Sequence, residues 1–126
     1  MLPFTVVLRV GEPVYEQVTY AVKHAVVSGQ LRAGDEFPSV RELSRDLKIN
    51  PNTAHRIVAR LLDEGLLVVR PGIGTIVGHT PCEDAHERAR ILGESAERLV
   101  IDARHAGASF KDIIGAIRRH WTRTGG

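Results

Sequence analysis

Between Asn50 and Asp63, amide, hydroxyl, imidazole and guanidinium groups recur at positions that a helix would bring to one side. Ala54, Ile57, Val58, Leu61 and Leu62 fall at i, i+3, i+4, i+7 and i+8, the buried stripe of an α-helix. Removing that stripe leaves Asn52, Thr53, His55, Arg56, Ala59, Arg60 and Asp63 on the opposite face. The N-terminal half of this face holds no acidic residue. Its groups are of the kind that read base edges in a major groove or bond phosphate oxygens. Most helices with such a face are merely solvated, so the elements that would position it decide the reading.

Those elements lie in Pro38–Arg56. Ser39 stands three residues before Glu42, the capping-box spacing of a helix start, and Val40, Leu43 and Leu47 follow at helical intervals. Asn50 then Pro51 ends this helix near Lys48 and opens the next, because Asn is a favoured N-cap and Pro costs nothing at the first helical position. Two helices joined by so tight a turn make a helix-turn-helix, with the second helix, over 51–64, as its reader. Residues 38 to 72 hold the basic groups Arg41, Arg45, Lys48, Arg56, Arg60 and Arg70 against Glu42, Asp46, Asp63 and Glu64. Two of these acids lie at the far end of the second helix, so the turn is locally positive, as phosphate contact requires.

The flanking sequence completes the architecture. Residues 4–10 have strand propensity and suggest a short extended arm before the breakers Gly11 and Pro13. A first helix is expected over 14–28, with Tyr15, Val18, Val22, Ala25 and Val26 inward and Gly29 at its end. Leu31 and Phe37 bracket a turn at Gly34-Asp35 and should pack beneath the helices. After Gly65, a β-rich run, the turn Pro71-Gly72-Ile73-Gly74 and a second β-branched run read as a hairpin. Three helices and a hairpin make a winged helix; the 71–74 wing either touches DNA at its tip, where glycine permits close approach, or only closes the core.

Thr80-Pro81 marks a boundary, which divides the chain into a winged helix-turn-helix domain, 1–80, and a helical tail, 81–126. In the tail, Ala85, Ala89, Leu92, Ala96, Leu99, Ala103 and Ala106 form a heptad-like seam that stops at Gly107. Ser109 and Asp112 start a further helix on which Phe110, Ile113, Ile114, Ile117 and Trp121 share a face. A helical hairpin this thin cannot bury both apolar faces. Pairing with a second copy is the expectation, and folding back onto the winged helix the alternative. The fold class is therefore mainly α with a small β-hairpin: an N-terminal winged helix-turn-helix and a C-terminal two-helix dimerisation hairpin.

Composition narrows the function classes. A 126-residue chain with 25% charged and 43% hydrophobic residues has room for one ordinary domain or a small one with an appendage. No apolar run approaches the roughly 18 residues of a membrane span, and MLPFTVVLRVG lacks the basic segment and cleavage site of a signal peptide. Its single cysteine, Cys82, excludes an internal disulfide and fits a reducing cytoplasm. The net charge of +2 is too small to argue nucleic-acid binding by itself. His79, Cys82 and His86 have a spacing that zinc or copper could use, but they sit at a linker without a second pair, so no metal or other cofactor is expected. No paired carboxylates, nucleophile motif or phosphate-cradling loop points to an enzyme. The remaining alternatives are a metal-responsive regulator using His79, Cys82 and His86, and a winged-helix interaction module that no longer binds DNA. The latter would have little reason to keep Arg41 and an acid-free face of Asn52, Thr53, His55 and Arg56.

The stretches PVYEQV, VVSGQLRAGDEFPSVRELSRDL and INPNTAHRIVARLLDEGLLVVRPGIGTIVG resemble the GntR family of bacterial transcription regulators, and the AGASFKDIIGAIRRHW tail resembles its YtrA subfamily. The likeness covers residues 12 to 78 strongly and the tail loosely. It implies a cytoplasmic, homodimeric repressor of a palindromic double-stranded DNA operator, and the subfamily's habits imply a role near transporter operons or envelope stress. By position it implies that Arg41 contacts the operator from the helix before the turn, that Asn50, Asn52, Thr53, His55 and Arg56 lie on recognition-helix positions, and that Gly72 is the wing tip. Arg45 and Lys48 are expected to hold phosphates. The chain departs from the subfamily at Val58, often aromatic there, and at Leu62, often acidic. Both lie on the buried stripe and alter packing more than readout. Larger members carry a ligand-binding domain; the stretch after the wing is too short to enclose a drug-sized pocket in one chain, and the effector is unassigned.

Overall fold

The structure, a computed structural model, describes residues 2–78 and 84–124. The chain falls into two compact units, Met1–Thr80 and Pro81–Gly126.

In the first unit, helix α1 spans Val14–Ser28 and buries Val18, Val22, Ala25 and Val26; Gly29 ends it in the left-handed conformation at φ 86°. Helix α2 spans Val40–Leu47. Its capping box is complete: the Glu42 N–H donates to Ser39 Oγ at 3.1 Å, and the Ser39 N–H donates to Glu42 Oε1 at 3.5 Å. Helix α3 spans Pro51–Asp63, with Asn50 Oδ1 accepting from the Asn52 N–H at 2.8 Å. Glu64 caps this helix and does not extend it, and Gly65 turns the chain away at φ 78°. Strands β1, Leu67–Arg70, and β2, Gly74–Val77, pair antiparallel from Leu67 opposite Val77 to Arg70 opposite Gly74.

The core joins all these elements. Val18 and Val22 of α1, Leu43 of α2, Ala54, Ile57 and Leu61 of α3, and Leu67 and Val77 of the hairpin are buried together with Leu31 and Phe37. Val58 and Leu62, the outer edge of the expected α3 stripe, are only partly buried.

Two features add to the sequence expectation. Residues 4–10 form no strand. Phe4 instead inserts into the core and stacks on Phe37, with ring centroids 5.8 Å apart. Gln17 tethers the following segment, accepting from the Arg9 N–H at 2.7 Å and donating to the Arg9 carbonyl at 3.0 Å. The edge of β2 goes to residues 34–37, which sequence patterning leaves as a turn. The Gly34 N–H donates to Val77 O, the Val77 N–H to Asp35 O and the Phe37 N–H to Thr75 O, at 2.7, 2.7 and 2.9 Å, around a bridge between Glu36 and Ile76. Strand propensity makes no strand where the segment pairs with no neighbour.

In the second unit, helix α4 spans Ala85–His105 and helix α5 spans Phe110–Arg123. Asp84 Oδ1 caps α4 through the His86 N–H at 2.9 Å. Gly107, at φ 81°, turns the chain, and Ser109 with Asp112 forms the capping box of α5. No residue of either helix is buried. Among the described helices none is long and apolar enough to cross a membrane.

Candidate nucleic-acid interface

Ala54, Ile57 and Leu61 are wholly inaccessible and fix the rotation of α3 about its axis. Burying an Ile or Leu side chain is worth about 1.5–3 kcal/mol, so turning the helix to present another face would forfeit most of that. The consequence is an outward face on which Asn52, His55 and Arg56 are exposed and Thr53 half-buried. The Asn52 side chain is displayed, whereas Asn50 has a second duty, since its carbonyl oxygen is taken by the cap. What Asn50 retains for a ligand is its amide NH₂ and the second lone pair of that oxygen.

Helix α2 packs against α3 and adds the upstream cations. Arg41 is exposed in its first turn, with no ion pair among the described residues. Arg45 is also exposed and lies 3.4 Å from the Asp46 carboxylate, a surface pairing worth about 0–1 kcal/mol that a phosphate could replace. Lys48 occupies the turn itself in the left-handed conformation, at φ 56°, where non-glycine residues are uncommon. Its side chain is exposed.

The wing is closed by the Ile73 N–H donating to Arg70 O at 3.1 Å. Gly72 at φ 80° and Gly74 at φ 110° hold backbone conformations that side-chain-bearing residues rarely adopt. Arg70, Pro71, Gly72 and Ile73 are all exposed at the tip. Thus Arg41, Arg45, Lys48, Asn50, Asn52, Thr53, His55 and Arg56 come together on the contiguous α2-turn-α3 segment, while Gly72 belongs to the hairpin that follows.

Arg56 and Arg60 have partners that sequence spacing does not reveal. The Arg56 guanidinium carbon lies 4.6 Å from the ring centroid of Tyr15 in α1, and that of Arg60 lies 5.8 Å away. Arg60 also donates to Glu64 Oε1 at 2.7 Å and to Tyr15 Oη at 3.2 Å. The hydrogen bond to Glu64, and then that to Tyr15, raise the Arg60 pKa above its ordinary value. Arg60 is therefore committed within the protein, unlike Arg41.

The apolar residues expected at a dimer seam are placed on the second unit's surface. Leu92, Ala96, Leu99, Phe110, Ile117 and Trp121 are exposed, and Ala103, Ile113 and Ile114 are half-buried. Of the metal candidates, His79 and Cys82 lie outside the described residues, and His86 sits in the first turn of α4. Among the described residues, no group of three or more His, Cys, Asp or Glu side chains is placed to hold a metal ion.

A helix-turn-helix with a displayed polar, cationic face, followed by a β-hairpin wing, defines a winged-helix DNA-binding transcription regulator. Residues 14–77 match the family described as bacterial regulatory proteins, gntR family. The chain belongs to the GntR family. It is 31% identical over 83% of its length to the HTH-type transcriptional repressor YtrA of Bacillus subtilis, covering 82% of that protein. Two solved structures share its fold. A transcriptional antiterminator from Listeria monocytogenes superposes with a TM-score of 0.80 at 24% identity, over 98% of this chain and 93% of that one. YtrA from Sulfolobus acidocaldarius, a GntR-family transcription factor, does so with a TM-score of 0.54 at 24% identity, over 97% and 99%. The chain is thus a DNA-binding transcription regulator of YtrA-like type and not an enzyme.

Proposed function

We propose that this regulator is a cytoplasmic homodimeric repressor that reads a palindromic operator near its own gene, with transport or envelope functions among its targets. The observation that carries the DNA side is the α3 face: Asn52, His55 and Arg56 exposed at the helix start, with no acid among them. Each subunit lays this end of α3 into a major groove, with half-sites roughly 34 Å apart or at a related spacing. Arg41 and Arg56 read bases; Asn50, Asn52, Thr53 and His55 line the groove. Arg45 and Lys48 hold phosphates, and the Gly72 tip approaches the flanking backbone. Residues 1–80 act as the DNA-binding domain and 81–126 as the dimerisation tail.

The association of two copies is supported by the apolar faces of α4 and α5. Leu92, Phe110 and Trp121 are 67%, 78% and 67% exposed, too much apolar surface for a helix pair to leave in water. Ile113, Ile114 and Ile117 of α5 continue the face, and Ala96, Leu99 and Ala103 of α4 contribute small and aliphatic contacts.

The test is a fluorescence anisotropy titration of the full-length protein with the DNA upstream of its gene. Specific binding is expected at about 10⁻⁸ to 10⁻¹¹ M, weakening steeply with salt. Affinity no greater than for random DNA would refute operator recognition and favour the interaction module. Sedimentation showing a monomer at micromolar concentration would refute the dimer.

A further inference from the structure

Tyr15 belongs to α1, outside the helix-turn-helix, yet its ring lies under the α3 side chain best suited to reading a base. Arg56 has no carboxylate partner among the described residues; its contact is the aromatic face, 4.6 Å from guanidinium carbon to ring centroid. Arg60, one turn further along, would repel it as a like charge at i, i+4. That repulsion is relieved by the same ring and by Glu64, which together hold Arg60 at its Nε and Nη1. The two arginines thus have different fates. Arg60 spends donors on Glu64 and Tyr15, whereas Arg56 meets the ring and donates no hydrogen bond among the described residues.

The distinction matters chemically. A guanidinium resting on an aromatic face keeps its in-plane N–H groups available. That fork is the geometry that meets guanine O6 and N7 together. An unsupported arginine must lose its rotamer freedom when it meets the base, whereas one already resting on a ring has lost part of it beforehand.

We propose that Tyr15 is a positioning residue for DNA readout, presenting Arg56 to its base as a pre-oriented fork while Arg60 stays anchored behind it. This inference rests on α3 being the recognition helix. It predicts that operator specificity depends on a side chain of α1 that need not touch a base.

The test uses the full-length protein and two duplexes: one selected from a random-sequence library by the wild type, and a scrambled version of equal length. The readout is the ratio of the two affinities, because loss of folded protein would lower both together and leave the ratio unchanged. Tyr15→Phe keeps the ring and loses only the hydroxyl, so it should retain wild-type discrimination. Tyr15→Leu, which removes the platform, should lower discrimination about 3- to 30-fold, as loss of a cation–π contact allows. In an Arg56→Ala background, Tyr15→Leu should cause no further loss. Wild-type discrimination in Tyr15→Leu, or an undiminished loss in the Arg56→Ala background, would overturn the positioning role alone. Unchanged discrimination in Arg56→Ala itself would overturn both this role and the reading of Arg56 as a base contact.

Discussion

Ser39 with Glu42, and Ser109 with Asp112, start α2 and α5 by the same reciprocal capping. The helices they start meet different fates. In the winged-helix unit, apolar residues from three helices, the hairpin and the Phe4 anchor converge on one core, and Leu43, Ala54, Ile57 and Leu61 are wholly buried. In the α4–α5 unit no described residue is buried, although the two helices carry Leu92, Leu99, Phe110, Ile117 and Trp121. Helix formation and core formation are thus separate problems. Capping and periodicity solve the first, but the second needs elements that cross, and two helices give too few surfaces to enclose their own side chains. The first unit completes its core with its own residues, whereas the α4–α5 pair leaves its large apolar side chains exposed.

That contrast can be broken most directly by matched truncations. Ile57→Ala or Leu61→Ala should each cost about 2–5 kcal/mol of unfolding free energy in denaturant titration, since each leaves a cavity in a closed core. Trp121→Ala or Leu99→Ala should leave the unfolding of the winged-helix unit within about 0.5 kcal/mol of wild type. Their effect should appear in sedimentation, as a shift towards the monomer. A large stability loss from the seam truncations with unchanged association would erase the distinction between the units.

Within the first unit, Arg56→Ala and Arg41→Ala should each weaken operator binding by ~1–3 kcal/mol if they make bidentate base contacts. Unfolding curves should barely move, because both side chains are exposed. Equal losses on operator and random DNA would reassign both to phosphate anchoring. Gly72→Ala meets no atom within 4 Å of the added Cβ, so its penalty comes only from φ 80°. About 1–2 kcal/mol of strain is expected, read as a lower melting temperature or a displaced wing with weaker binding.

The smallest effect concerns α5 and pH. The Ser109 backbone N–H, and then its side chain, hold the Asp112 carboxyl below its ordinary pKa. A depressed folded-state value means that the cap contributes fully above the ordinary aspartate range and loses its contribution as pH falls through the lowered one. Amide exchange in the first turn of α5 should therefore accelerate only in acid, and Ser109→Ala should narrow the gap between Asp112 and a free aspartate. No pH response of that turn would remove the cap's electrostatic role.

Much of the fold was legible in local signals. The spacing around Asn50-Pro51, the glycines at 29, 65 and 107, and the stripe on α3 each specify a structure within a few residues of themselves. The candidate reading face was legible for the same reason, since a buried stripe defines its opposite. The pairing of residues 34–37 with β2 was not, because its partners are some forty residues away and turn-forming sequence does not announce an edge. What the arm docks on was not legible either: Phe4 is held by Phe37, and nothing near Phe4 in the chain says so.

The sequence by itself therefore determined the helices, their caps, the wing and the polar face of α3, because backbone hydrogen bonding and amphipathic period act over one or two turns. Only the tertiary structure decided that Tyr15 of α1 would lie beneath Arg56, that Arg60 would be tied to Tyr15 and Glu64, and that one unit would close its core while the other would not. Those outcomes depend on which surfaces meet across long stretches of chain, and no local period encodes that.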